Sequence, residues 1–184
     1  METKYLEAQP SMKRPEGPRL FRVLLQVSDL GRSQRFYESL LATRGRKVGG
    51  GRVYFQCGPT LLGLLEPSAD GERRIRRSPE PVYFSTHDLE GTYRRARRLG
   101  CLSPGRIHGR DPAGEIAVRP WGERSFYAHD PSGNPLCFVA ADTLFTGTAR
   151  QTKRWTRAFR ARDKVARRVA ANRSRVRSPV PRRS

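Results

Sequence analysis

Few side chains in this 184-residue chain have the types and spacing that covalent or metal chemistry requires. The histidines His87, His108 and His129 share no metal-ligand spacing and read as surface or turn residues. Cys57, Cys101 and Cys137 are odd in number and include no Cys-x-x-Cys pair. That argues against a disulfide framework or a structural zinc site and fits a reducing, cytoplasmic setting. No histidine is paired with Cys137 in sequence, so it reads as a small buried thiol rather than a nucleophile. What remains is recognition chemistry. Arg22 interrupts an apolar strand, and a buried guanidinium there needs a partner. The partner is either a ligand carboxylate or phosphate, or an internal acid such as Glu66 or Glu123. Trp121, Tyr54, Tyr83, Phe126 and Tyr127 offer walls for a planar ligand, or plain core packing. Of the neighbours Phe126 and Tyr127 only one can face a cavity, and Phe126 is expected to do so, across a hairpin from Cys137.

The elements that must position these residues come in two similar sets. Residues 21–27 alternate as a strand, with Phe21, Val23, Leu25 and Val27 on one face and Arg22, Leu24 and Gln26 on the other. Asp29 then caps a helix carrying Leu30, Phe36, Tyr37, Leu40 and Leu41. Glycines 49–51 turn the chain into strands at 52–57 and 60–65, and residues 67–80 form a charged linker. The order then repeats: a strand at 81–86, a cap at Asp88, a helix with Leu89, Tyr93, Ala96 and Leu99, and Gly100 at its end. After a loop-rich stretch at 103–114 come strands at 115–118, 124–129 and 135–140. The last two are joined by the tight turn Asp130-Pro131-Ser132-Gly133-Asn134. The corners Val27-Ser28-Asp29-Leu30 and Thr86-His87-Asp88-Leu89 lie 59 residues apart, as a duplicated module requires. The expected fold is α+β: two βαβββ modules, 18–67 and 80–147, pairing into an incompletely closed curved sheet. The cavity it surrounds would be lined by Arg22, Leu24, Gln26, Tyr83 and Ser85.

Charge divides the chain differently. The net charge is +20. Residues 1–17 balance and read as a loose arm, with Met12 an alternative start to Met1. Residues 18–147 hold +7 and residues 148–184 hold +13. In that last segment Trp155, Ala158, Phe159, Val165, Ala166 and Val169 fall near helical spacing among arginines, followed by an Arg/Ser/Pro end expected to be disordered. Such a tail associates with polyanions by counterion release. No groove-reading motif is present, so that association is expected to be nonspecific. The chain has no apolar run long enough to span a membrane, and its start, lacking an apolar stretch, is not expected to act as a secretory signal.

The run Val27-Ser28-Asp29-Leu30, Phe36-Tyr37 and Leu40-Leu41 resembles the opening of the vicinal oxygen chelate superfamily. That superfamily contains glyoxalase I, extradiol dioxygenases and bleomycin resistance proteins. The segment Pro120-Trp121-Gly122-Glu123-Arg124-Ser125-Phe126-Tyr127-Ala128-His129-Asp130-Pro131-Ser132-Gly133-Asn134-Pro135-Leu136 is similar to its closing hairpin. The resemblance covers about residues 19–147 and implies paired modules around a ligand site; homodimers are common in such folds. It also implies a divalent metal in the family's enzymes, held by His, Glu or Gln from the first and last strands of a module. Counted from the shared corner and hairpin, those positions are Arg22, Leu62, Pro81 and Cys137. Of these only Cys137 has a side chain able to coordinate. The expectation is therefore a metal-free, cofactor-free binding protein for a small anionic or aromatic molecule. Arg22 would pair with the anion, Gln26 would hydrogen-bond, and Leu24, Tyr54, Tyr83, Trp121, Phe126 and Cys137 would complete the site. The alternatives are a metal-dependent lyase, isomerase or dioxygenase with a displaced metal site, and nucleic-acid association through residues 148–184. The +7 of the central segment disfavours a cationic ligand of the bleomycin type.

Overall fold

A computed structural model describes residues 17–107, 111–148, 151–152 and 156–157. Nearly all of the expected arm and basic tail, and His108, lie outside the described residues.

The first module runs β1 (Arg22–Gln26), α1 (Leu30–Leu41), β2 (Arg46–Val48), β3 (Arg52–Cys57) and β4 (Thr60–Leu65). Asp29 starts α1 as expected: its Oδ1 accepts the backbone N–H of Arg32 at 2.8 Å, filling one of the donors a helix start leaves open. Ala42 ends the helix in the left-handed region, at φ 51°. The second module runs β5 (Val82–Thr86), α2 (Leu89–Arg98), β6 (Arg106–Ile107), β7 (Asp111–Pro112), β8 (Ala117–Val118), β9 (Arg124–His129) and β10 (Pro135–Ala140). Asp88 caps α2 through the N–H of Gly91, and Gly100 leaves it at φ 63°. Two features were not expected. Strand β2 is short and polar, without alternation, and the β6–β7 hairpin is an insertion inside the stretch read as loop.

Each module makes one four-stranded mixed sheet, in the orders β1-β4-β3-β2 and β5-β10-β9-β8. In each, the first strand lies parallel beside the last. The sheets are not closed into a barrel. Leu25, Val27, Val53, Phe55, Leu62 and Leu64 from the first sheet and Phe126, Ala128, Leu136 and Phe138 from the second share one core with α1 and α2. Each sheet therefore has one face covered by helix and one left uncovered.

A buried polar knot fastens the modules together. Asp130, 5 % exposed, accepts from the backbone N–H groups of Ser132 and Asn134 through Oδ1. Its Oδ2 accepts from the Asn134 amide and, at 3.1 Å, from the hydroxyl of Tyr37 in α1. Asn134 Nδ2 also donates to the carbonyl of Gln26, and Asn134 Oδ1 accepts from the N–H of Ser78. Burial, then the Asp130 carboxylate, pushes the Tyr37 hydroxyl well above the ordinary tyrosine range. The two segments that carried the family resemblance thus touch each other, and the contact is structural.

Candidate functional site

Strand parity decides what each uncovered face presents. On the second sheet, Cys137 lies between Tyr83 and Tyr127 across three strands, and Val139 lies between Ser85 and Ser125 in the next row. The Tyr83 and Tyr127 rings meet edge to face, centroids 6.5 Å apart. The chain from β8 to β9 reverses at Arg119, whose N–H donates to the Glu123 carbonyl at 2.7 Å while its carbonyl accepts from Gly122. Gly122 takes φ 99°, a conformation other residues rarely adopt. The turn lays Trp121 beside the sheet and fixes it there by donating Nε1–H to Glu123 Oε2 at 2.6 Å; Glu123 Oε1 accepts the N–H of Phe145. A cavity of about 540 Å³ results, lined by Tyr83, Ser85, Trp121, Glu123, Val139 and Phe145 among others.

Beside it lies a residue that the sequence reading passed over. Arg119 is only 2 % exposed. Its Nε donates to Ser125 Oγ at 3.0 Å, and its Nη2 donates to the carbonyls of Ser125 at 2.7 Å and Glu115 at 3.0 Å. The guanidinium carbon lies 5.4 Å from the centre of the Tyr127 ring. Nη1 is buried without a hydrogen-bond partner. Among the described residues Arg119 forms no ion pair. Nothing marks it among the other arginines by type. Counting strand parity back from the closing hairpin would have put it on one face with Ser125, Tyr127 and Cys137.

Several expectations need correction. Phe126 does not face the cavity; it packs under α2, 5.3 Å from Tyr93 and 5.2 Å from Phe138. The turn between β9 and β10 sets Pro135 opposite His129, so Cys137 falls opposite Tyr127 and Phe138 opposite Phe126. Arg22 is not buried and forms no ion pair with Glu66 or Glu123. It is exposed on the first sheet's uncovered face, 4.7 Å above the Tyr54 ring and 4.9 Å from that of Phe21. Leu24, 48 % exposed, shares that face. Gln26 is not free to meet a ligand through its oxygen, because Oε1 accepts the N–H of Arg76 at 2.5 Å and so anchors the linker. Tyr83 and Trp121 do line the cavity, with Tyr83 56 % exposed. Cys137 is sealed beneath it, and burial pushes its thiol up to about 12. His87 and His129 are exposed, the latter paired through Nδ1 with Ser103 Oγ.

One of the positions that the resemblance assigns to a metal ligand also shifts by one. Val23 pairs with Leu62 and Leu24 with Gly63 in the first sheet, as Val82 pairs with Leu136 and Tyr83 with Cys137 in the second. The first module's counterpart of Cys137 is therefore Gly63, and Leu62 lies in the helix-covered core. Gly63 has no side chain, and a Cβ there would collide with Leu24 Cδ2 and come within 2.9 Å of the Tyr54 ring. Arg22, Gly63 and Pro81 offer no donor atom, and the thiol of Cys137 resists ionisation; these residues do not fit a divalent ion. Among the described residues no three His, Cys, Asp or Glu side chains come together. No helix among them is long and apolar enough to cross a membrane.

This two-module arrangement defines a class. A family model for the glyoxalase/bleomycin resistance protein/dioxygenase superfamily matches residues 19–138, and the chain belongs to that superfamily. Among solved structures, a glyoxalase/bleomycin resistance protein from Albidiferax ferrireducens T118 is similar at 19 % identity. It superposes with a TM-score of 0.52, covering 66 % of this chain and 97 % of that one. The oxidase ChaP-H2 is similar at 21 % identity and TM-score 0.51, covering 68 % and 94 %. A virulence protein from Salmonella typhimurium is similar at 19 % and 0.51, covering 68 % and 98 %. Identities this low speak for the fold alone. No curated protein matches the sequence.

Proposed function

We propose that this protein binds a small anionic or aromatic molecule without a metal ion and without transforming it. The observation that carries the reading is the chemistry of the uncovered faces. Where the superfamily's enzymes place metal ligands, this chain has Arg22, Gly63, Pro81 and a thiol held protonated. The second sheet instead offers an aromatic cavity of about 540 Å³, within the range that takes a drug-sized ligand. Tyr83, Trp121, Val139 and Phe145 supply the apolar walls, and Ser85 a hydroxyl.

Homodimerisation belongs to the same proposal. Phe21 just before β1, Leu24 on β1 and Tyr83 on β5 are large side chains left in solvent, and a second copy would cover them. The test uses full-length protein. Metal analysis after expression in metal-replete medium should find no bound ion, and near-stoichiometric zinc, nickel, manganese or iron would overturn the reading. The anionic fluorophore 1-anilinonaphthalene-8-sulfonate should bind saturably to the wild type, and Ser85→Trp, at an exposed position on the cavity wall, should abolish that binding.

A further inference from the structure

Among the described residues Arg119 is a buried charge without a counter-ion. Its residue is 2 % exposed, three of its donor bonds go to Ser125 and Glu115, and Nη1 has none. Burying an unpaired guanidinium nitrogen carries an uncompensated desolvation cost. A chain selected for stability alone has simple remedies, such as a facing carboxylate or an apolar side chain of the same volume. The nearest acid on the same hairpin, Glu123, takes neither part. Its two oxygens are engaged by Trp121 and Phe145, and it forms no ion pair with Arg119. The position is also specific. Ser125, which grips the guanidinium, pairs with Val139, and Val139 pairs with Ser85. Both Val139 and Ser85 line the cavity. Ser125, and the guanidinium edge bonded to it, therefore lie one strand in from the cavity wall.

We propose that Arg119, and not Arg22, is the anion-recognising residue of this protein, and that its ligand is a monoanionic carboxylate carried on a planar apolar body. This deepens the function proposed above and rests on it. One free nitrogen suits a single charge-assisted hydrogen bond rather than the two-pronged grip that a phosphate takes. The Glu123 carboxylate lines the same cavity and repels any anion there, a dianion about twice as strongly as a monoanion. Tyr83, Trp121 and Phe145 hold the apolar body. Nη1 is shielded from solvent, so the carboxylate reaches it by local displacement of a covering side chain, and the complex excludes water from the contact.

Benzoate and its neutral isostere benzamide are the probes, titrated calorimetrically into full-length wild type, Arg119→Met and Ser85→Trp. The wild type should bind benzoate at least ~10-fold more tightly than benzamide, the size of one buried charge-assisted hydrogen bond. Arg119→Met should lose that preference and keep benzamide binding. Equal affinity for the two probes in the wild type, or a preference retained in Arg119→Met, would overturn the inference while leaving the cavity reading intact. If Ser85→Trp binds both probes as the wild type does, the cavity reading itself fails. Should Arg119→Met not fold, the guanidinium ¹⁵N resonances of the wild type decide: benzoate must shift the Arg119 Nη signal and benzamide must not.

Discussion

The Asp130 carboxylate and the Arg119 guanidinium are both sealed from solvent, and the chain surrounds them in opposite ways. Asp130 accepts four hydrogen bonds, two on each oxygen, from Ser132, Tyr37 and Asn134. Arg119 keeps one nitrogen without any. A buried charge whose partners all come from its own chain is part of the architecture. Arg119 Nη1, without a hydrogen-bond partner, can still donate to one more acceptor. The contrast separates what the superfamily's closing hairpin does for the fold from what the adjoining turn does for the ligand.

The largest expected effect tests the saturated side. Asp130→Ala strips the acceptor from two buried backbone N–H groups and from the Tyr37 hydroxyl and should cost about 3–4 kcal/mol in urea unfolding. A loss under about 1 kcal/mol would mean that water replaces the carboxylate, and the contrast with Arg119 would collapse.

Alkaline pH probes the same packing next. The folded protein holds the Cys137 proton up to about 12, and the Tyr37 and Tyr127 hydroxyls above the ordinary tyrosine value, in each case chiefly through burial. The unfolded chain releases the thiol proton near ~8.5 and the phenols near ~10. Folded values above unfolded ones mean stabilisation that is complete below the unfolded value and fades as pH rises towards the folded one. The Cys137 thiol alone should therefore cost about 2 kcal/mol of stability between pH ~9 and pH ~10.5, the phenols adding to the decline towards the upper end, and Cys137→Ala should remove the early part. Thiol-reactive dyes at neutral pH should label Cys137 only on unfolding; fast labelling would contradict its burial.

A single bond sharpens the picture further. Tyr37→Phe removes one of the four donors to Asp130 and keeps the ring, which packs on Phe36 at 5.2 Å and Phe55 at 5.8 Å. The expected cost is about 1–2 kcal/mol. In combination with Asp130→Ala the two losses should be less than additive, since they share that bond.

How far the sequence reached depends on what kind of order each residue obeys. The cap residues Asp29 and Asp88, the strands at 52–57, 60–65, 124–129 and 135–140 and the repeat of the corner follow from local chemistry, and all were legible. The facing of Phe126 and the metal position at Leu62 each missed by one residue. A strand alternates sides at every step, so register errors are fatal to a site even when the strand itself is correctly placed. Pairing arithmetic across the five-residue turn would have corrected Phe126. Arg119 was missed because its meaning is wholly tertiary: what sets it apart is a nitrogen without a partner, and no spacing announces that.

The smallest effect falls where the sequence had placed the greatest weight. Arg22 stands in solvent over Tyr54 and Phe21, so Arg22→Ala forfeits a cation–π contact at an exposed site, about 0.5 kcal/mol of stability. It leaves no buried partner behind, since among the described residues Arg22 forms no ion pair. Benzoate binding should therefore match the wild type in Arg22→Ala and fall only in Arg119→Met. If Arg22→Ala instead weakened benzoate by ~10-fold or more, the anion would be read by the first module's open face, and Arg119 would lose its claim to it.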